Sequence, residues 1–139
     1  MLNKENLKEI YLAGGCFWGV EGFIKKLPGV VDTDVGYANG HTENPSYEEV
    51  CRNNTGHAET VRVYYDPSIL SLDKLIEGFF TVVDPTSKNR QGNDRGSQYR
   101  SGIYYTDQSD IGIIQDAVNE EQKKHIKKIV TEILPLECY

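Results

Sequence analysis

Residues 10–27 read IYLAGGCFWGVEGFIKKL, and their pattern predicts the first elements of the fold. The apolar run from Ile10 to Ala13 predicts a short strand. Two glycines follow it, and Pro28 then ends a helical pattern of apolar residues at Phe17, Val20, Phe23, Ile24 and Leu27. The sequence therefore predicts a strand, a tight turn and a helix.

Beyond this unit, the apolar pattern switches between the periods of strands and helices. It predicts strands over 30–37, 60–65 and 102–106, and a helix over 72–83 with Ser71 as its N-cap. A polar loop is predicted over 84–100 and a charged helix over 110–130. This alternation favours an α/β or α+β fold with helices packed on one sheet, without determining which strands pair.

Composition restricts the class of protein. A chain of 139 residues is expected to form a single domain over 1–139. Its formal net charge of −6 argues against nucleic acid or an anionic membrane as the main partner. The charged N-terminus shows no secretory signal and no apolar stretch is long enough to span a bilayer, so we expect a cytoplasmic protein. The three cysteines are too widely spaced for a disulfide framework.

Cys16 is the first candidate for chemistry. It stands where a predicted strand turns into a predicted helix, and N–H groups at a helix start can stabilise a thiolate. A lone cysteine is more often a small buried hydrophobe. The aromatic residues Phe17 and Trp18 could fill the core or form an apolar wall beside the thiol. The residues alone leave these alternatives open.

Glu59 is the second candidate, because it lies near the start of a predicted strand in the run GHAE at 56–59. A carboxyl group in an apolar pocket can stay protonated near neutral pH, as a general acid must. A solvated surface acid is the ordinary alternative. The polar run QGNDRGSQYR at 91–100 could be a simple turn, and Tyr47 could be a core residue or a phenol donor.

Six motifs, taken together, resemble the peptide methionine sulfoxide reductases of the A type. They are GCFWG at 15–19, GYANG at 36–40, PSYEEVC at 45–51, GHAE at 56–59, YDP at 65–67 and QGNDRGSQYR at 91–100. The resemblance runs from about Tyr11 to the C-terminus. It implies a two-layer α/β plait with a mixed sheet and a ferredoxin-like core, although a fold alone does not indicate an activity.

The resemblance also implies a reaction. Cys16 would attack the sulfur of methionine-S-sulfoxide, free or in proteins, and release methionine while becoming a sulfenic acid. Glu59 would protonate the sulfoxide oxygen, and the phenols of Tyr47 and Tyr99 would bind that oxygen. The residues expected to bind or order the substrate are Phe17, Trp18, Asp94 and His57.

The resemblance implies no bound cofactor or metal. This chain is expected to be shorter at its C-terminus than most members of the family, and Cys51 is expected to be structural. We therefore expect no resolving cysteine, with Cys138 as the weaker alternative. An external thiol would reduce Cys16: thioredoxin, glutaredoxin with glutathione, or dithiothreitol in vitro.

Three other functions fit the residues less well. A cysteine hydrolase would need Cys16 with His41, His57 or His125, and no spacing supports that pairing. A zinc site would need ligands at short intervals, which the sequence lacks. A non-catalytic module could bind methionine sulfoxide with the same aromatic pocket after losing turnover by truncation.

Overall fold

The computed structural model describes residues 7–15, 17–38, 58–87, 90–91, 94–95, 100–137 and 139. Its strands are Lys8–Ala13 (β1), Val30–Ala38 (β2), Ala58–Tyr65 (β3), Arg90–Gln91 (β4), Asp94–Arg95 (β5), Gly102–Tyr105 (β6) and Glu132–Pro135 (β7). Its helices are Phe17–Ile24 (α1), Leu72–Val82 (α2) and Ile111–Gln122 (α3). A turn of 3₁₀ helix, Gln108–Asp110, precedes α3.

Five of the strands form one sheet, in the order β2-β3-β1-β6-β7. Neighbours are antiparallel except for β6 and β7, which are parallel. The chain order β1-α1-β2-β3-α2-β6, combined with this strand order, is the split βαβ arrangement of a ferredoxin-like plait. The expected mixed sheet with packed helices is therefore confirmed, and β7 extends it by one parallel strand.

One face of the sheet, which we name the helix face, is apolar. Its fully buried side chains come from alternate positions of three strands: Ile10, Leu12, Val61, Val63 and Ile103. They pack in one cluster with Leu75, Ile76 and Phe79 of α2. Burial of an aliphatic side chain of this size contributes roughly 1.5–3 kcal/mol, so this layer is the main stabilising element of the fold.

The opposite face, which we name the polar face, carries charged and aromatic side chains. Arg62 lies opposite Tyr11 and Asp34 in the strand register and forms an ion pair with Asp34. The Arg62 guanidinium lies 5.2 Å from the ring centroids of both Tyr64 and Tyr139. The Tyr139 hydroxyl donates to Asp34, so the last residue of the chain folds back onto this face.

The predicted elements before residue 84 are confirmed, except that α1 ends at Ile24, before the predicted last turn to Leu27. Helix α2 begins after Ser71, as expected, and buries Leu72, Leu75, Ile76, Phe79 and Phe80. The Ser71 carbonyl accepts a hydrogen bond from the Leu75 N–H at 3.0 Å, which completes the first turn. The predicted strands over 30–37 and 60–65 are one residue and two residues longer in the structure, respectively.

Two predictions beyond residue 84 are wrong. The charged helix ends at Gln122 instead of continuing to 130, and the chain then forms β7, which was not predicted. The Gln122 side chain accepts from the Ile129 N–H at 2.8 Å and donates to the Lys127 carbonyl at 2.9 Å, so it holds the turn that replaces the helix. The loop predicted over 84–100 contains the short antiparallel pair β4 and β5.

Candidate active site

Several chain segments meet at one end of the sheet. The register pairs Ala13 with Thr60 on one side and with Gly102 on the other. It also pairs Tyr37 with Glu59, and Gly102 with Glu132. The end of β1 therefore lies beside the starts of β3 and β6, with the start of β7 next to β6. We call this region the site end.

The turn that leaves β1 at the site end requires glycine at two successive positions. A Cβ atom on Gly14 would lie 2.6 Å from both γ carbons of Val83, which leaves no room for a side chain. Gly15 has φ of 73°, a left-handed conformation that favours glycine. The turn leads through Cys16 into α1, whose first residue is Phe17. Cys16 itself lies outside the described residues.

Glu59 is buried at the site end, with 6% of its surface exposed. The structure therefore excludes the solvated surface acid that the sequence left open. Alternation along β3 places Glu59 on the same face as Val61 and Val63, which is the helix face. Glu59 therefore lies on the face of the sheet against which α1 packs.

Trp18 is the predicted pocket residue whose side chain the structure describes. It is 63% exposed, so it does not fill the core, and it remains available as an apolar surface. For Phe17 and Asp94 the structure describes the backbone, in α1 and β5. Apart from His125, the other predicted or weighed residues lie outside the described ranges: Cys16, His41, Tyr47, Cys51, His57, Tyr99 and Cys138.

A cluster that the sequence did not suggest lies on the polar face at the site end. Arg100 Nε donates to Glu132 Oε1 at 2.5 Å, and the Tyr104 hydroxyl donates to the same oxygen at 2.9 Å. Burial raises the pKa of the Tyr104 phenol above its usual range. Glu132 belongs to the unpredicted β7, and its 32-residue separation from Arg100 leaves no local signal of the pair. The short run of Ile133 and Leu134 ahead of Pro135 could have indicated the strand.

Neither a metal centre nor a membrane span is found in the described ranges. No three His, Cys, Asp or Glu side chains among them gather in a way that could hold a metal ion. None of the helices in these ranges is long and apolar enough to cross a bilayer. A cavity of about 430 Å³ lies beside the end of α2, lined by Val83, Pro85 and His125 among others.

A cysteine in the sequence between a strand and a helix, with a buried acid on the neighbouring strand, is a combination of groups that thiol-dependent enzymes use. The family model for peptide methionine sulfoxide reductase matches residues 8–139. A peptide methionine sulfoxide reductase MsrA of Clostridium perfringens is 59% identical over 133 residues, which span 96% of this chain and 85% of that protein. The chain therefore belongs to the peptide methionine sulfoxide reductase family.

Solved structures agree with this assignment. Mxr1 from Saccharomyces cerevisiae in reduced form superimposes with a TM-score of 0.84 and 39% identity, over 99% of this chain and 80% of that chain. The same yeast protein has been solved in complex with Trx2, with a TM-score of 0.73 and 31% identity, over 99% of this chain and 81% of that chain.

Proposed function

We propose that this chain reduces the S epimer of methionine sulfoxide, free or within proteins, with Cys16 as the nucleophile. The observation that carries the proposal is the register of β1 and β3. Ala13, three residues before Cys16, pairs with Thr60, the residue after Glu59. The segment that ends in the thiol therefore leaves the sheet beside the buried acid. Family membership supplies the substrate class.

In the proposed reaction, the Cys16 thiolate attacks the sulfoxide sulfur and forms a sulfur–sulfur bond, while the sulfoxide oxygen takes up a proton. The resulting hydroxyl group then passes to the Cys16 sulfur as the sulfur–sulfur bond and the sulfur–oxygen bond of the substrate break. The products are methionine and a sulfenic acid on Cys16, so the substrate is reduced by two electrons and the thiol is oxidised by two. Negative charge develops on the sulfoxide oxygen as the reaction proceeds. Glu59 donates a proton to that oxygen, and the phenols of Tyr47 and Tyr99 donate hydrogen bonds to it.

Apolar contacts would select the methyl group of the substrate. We assign this role to Phe17 and Trp18, and the exposure of Trp18 is consistent with a surface that becomes covered when substrate binds. Asp94 and His57 are proposed to order the polar side of the same pocket. Residues 1–139 would act as one catalytic domain in the cytoplasm.

Regeneration of Cys16 is proposed to need an external thiol. A first thiol condenses with the sulfenic acid and releases water, and a second thiol reduces the resulting mixed disulfide. The yeast Mxr1–Trx2 complex favours thioredoxin as the donor, and glutaredoxin with glutathione is the alternative. We propose a cycle without a resolving cysteine. Mass spectrometry that found a Cys16–Cys138 disulfide after one turnover, absent in Cys138→Ser, would contradict it.

The activity is tested by chromatography of the methionine formed from the separate S and R epimers, with dithiothreitol as reductant. We expect turnover of the S epimer only, and no turnover by Cys16→Ser. Dithiothreitol replaces any protein reductant, so a negative result could not be attributed to a missing partner. Absence of methionine from both epimers would overturn the proposal.

A further inference from the structure

The turn that follows α3 differs in charge from the rest of the chain. Residues 123–128 read KKHIKK, so they include four of the 15 Lys and Arg residues of a chain whose formal net charge is −6. All four lysine side chains are exposed, and Ile126 between them is wholly exposed. We call residues 123–128 the basic turn.

The basic turn is held in one shape by Gln122. The side-chain amide of Gln122 donates to the Lys127 carbonyl at 2.9 Å and to the His125 carbonyl at 3.4 Å. Its side-chain oxygen accepts from the Ile129 N–H at 2.8 Å. His125 is held in addition by Glu121, whose carboxylate oxygen lies 2.7 Å from the imidazole Nε2. The positive charges are therefore presented at fixed positions, and little ordering of this chain is needed when a partner binds.

Two lysines of the basic turn are not balanced by a neighbouring acid. Lys123 and Lys124 pair with glutamates three residues earlier in α3, at N–O distances of 2.9 and 3.5 Å. Lys127 and Lys128 form no ion pair with any residue in the part of the chain that the structure describes. Their charges are therefore available to an external anion.

The basic turn borders the cavity of about 430 Å³ at the end of α2. His125 lines this cavity together with the apolar side chains of Val82, Val83 and Pro85. The γ carbons of Val83 are also the atoms that leave no room for a side chain on Gly14. The cavity therefore lies one side chain away from the turn that leaves β1 at the site end.

Among the described residues that line the cavity, Asp84 provides the one carboxylate. It accepts hydrogen bonds from the Thr86 N–H at 2.9 Å and from the Thr86 hydroxyl at 2.7 Å. These bonds lower the pKa of the Asp84 carboxyl, and the nearby His125 and Lys127 lower it further. Lys127 therefore lies close enough to the cavity for its charge to act there.

We propose that the cavity and the basic turn form a docking surface for an acidic polypeptide segment beside the oxidised methionine of a protein substrate. The inference rests on the proposed function, which brings the sulfoxide to the site end. Without its four lysines at 123–128 the chain would carry a formal charge of −10. An acidic segment is therefore repelled by most of the protein and attracted to the basic turn, so charge orients the substrate.

The shape of the surface fits a flexible segment. A cavity of this size receives single side chains, and its walls of Val82, Val83 and Pro85 would contact their apolar parts. Ile126 would add apolar contact beside the lysines. The chemical class of the ligand is thus an extended peptide that carries Asp or Glu close to methionine sulfoxide.

Peptides that differ only in charge test the proposal. We would measure kcat/KM, with dithiothreitol as reductant, for peptides in which methionine-S-sulfoxide is flanked by glutamates, by glutamines or by lysines. The wild type should prefer the acidic peptide to the basic one by about tenfold at low ionic strength. The ratio should fall toward one in about 1 M salt, because salt screens exposed charges.

Charge reversal at the two unpaired lysines is the decisive variant. Lys127→Glu/Lys128→Glu should invert the ratio, so that the basic peptide is preferred by about threefold or more, and Lys127→Gln/Lys128→Gln should remove most of the preference. The matched control is Lys25→Glu/Lys26→Glu, which changes the net charge equally at two adjacent exposed lysines just after α1. It should keep the wild-type ratio within about twofold.

The ratio compares two substrates of one enzyme, so a variant of lower overall activity still gives a valid result. If the reversed variant fails to fold, as judged by circular dichroism melting, the glutamine variant takes its place. An unchanged ratio, or an equal change in the control, would overturn the docking surface in an enzyme that remains active.

Two further outcomes separate the alternatives. A reversed variant that keeps the wild-type ratio with dithiothreitol, but loses activity when thioredoxin is the reductant, would show that the basic turn docks the reductant and would overturn the proposal. A wild type that is inactive on free methionine-S-sulfoxide would instead overturn the proposed function, and this inference with it.

Discussion

The two faces of the sheet differ in how their side chains are held. The helix face buries aliphatic side chains such as Leu12 and Val61 against α2, and it carries Glu59 at the site end. The polar face is organised by directional contacts instead, with Arg62 between two tyrosine rings and Glu132 between Arg100 and Tyr104. Apolar packing thus stabilises the helix face, which carries Glu59. On the polar face, directional contacts instead hold neighbouring strands in place.

The largest expected effect is on kcat/KM, and it differs between the two acids at the site end, Glu59 and Glu132. Glu59→Gln should lower kcat/KM for methionine-S-sulfoxide by about 10²- to 10⁴-fold, because the amide cannot donate the acidic proton. Glu132→Gln should lower it by less than about tenfold, since an amide oxygen still accepts both hydrogen bonds. Steady-state kinetics with dithiothreitol measures both variants. Equal losses would contradict a division of roles between the faces.

Packing on the helix face should dominate the free energy of unfolding. Leu12 is fully buried in the cluster below α2, so Leu12→Ala should lower the free energy of unfolding by about 2–5 kcal/mol through lost burial and a residual cavity. Urea denaturation followed by circular dichroism measures the change. A loss below about 1 kcal/mol would mean that the helix face is not the main stabilising layer.

Two buried tyrosines give a matched comparison of the faces. The Tyr104 hydroxyl donates to a carboxylate on the polar face, so Tyr104→Phe should lower the free energy of unfolding by about 1.5–3 kcal/mol. The Tyr65 hydroxyl belongs to the helix-face cluster and has no hydrogen-bond partner among the described residues. Tyr65→Phe should therefore leave the stability unchanged or raise it. A destabilisation equal to that of Tyr104→Phe would contradict this assignment.

Many buried positions of the helix face could be predicted from the sequence, whereas most contacts of the polar face could not. The spacing of Leu72, Leu75, Ile76 and Phe79 predicts both the helix and its buried side, because burial against a sheet imposes a period that one sequence displays. Arg100 and Glu132 obey no such period, since their contact depends on strand pairing over a long separation. Strand pairing also explains why the helix predicted to reach residue 130 ends at Gln122, since the chain then forms β7 beside β6.

The candidate site divides in the same way. Its proposed nucleophile and proposed acid, Cys16 and Glu59, lie in the compact motifs GCFWG and GHAE, which suggested both residues before any strand pairing was known. The burial of Glu59 and its placement beside the end of β1 needed the structure, because each depends on the register of β3 with its neighbours. The roles of all the predicted site residues stay predictions: Cys16, Glu59, Tyr47, Tyr99, Phe17, Trp18, Asp94 and His57.

The free energy of unfolding should fall at alkaline pH, because each face of the sheet buries a tyrosine. Burial raises the pKa of Tyr65 and of Tyr104 in the folded chain, while in the unfolded chain both titrate near pH 10. Their contribution to stability is therefore fully present below pH 10 and is lost as pH rises through the folded values. Urea unfolding between pH 8 and 11 should show this decline, and it should be shallower in the variant with both tyrosines changed to phenylalanine.

The smallest effect is expected from the ion pair at the centre of the polar face. The side chains of Arg62 and Asp34 are 30% and 44% exposed, so solvent screens their attraction. Asp34→Asn should lower the free energy of unfolding by less than about 1 kcal/mol, and the loss should shrink further in high salt. A loss as large as that of Leu12→Ala would show that directional contacts also stabilise the fold.

The central claim is that the Cys16 thiol takes the oxygen of the substrate. The direct test is a single turnover of methionine-S-sulfoxide, without a reducing thiol, in the presence of a dicarbonyl reagent that alkylates sulfenic acids. Mass spectrometry of the digested protein should find the adduct on Cys16, with an equivalent amount of methionine released and no adduct in Cys16→Ser. Methionine released with the adduct on Cys51 or Cys138, or with no adduct on any cysteine, would contradict it.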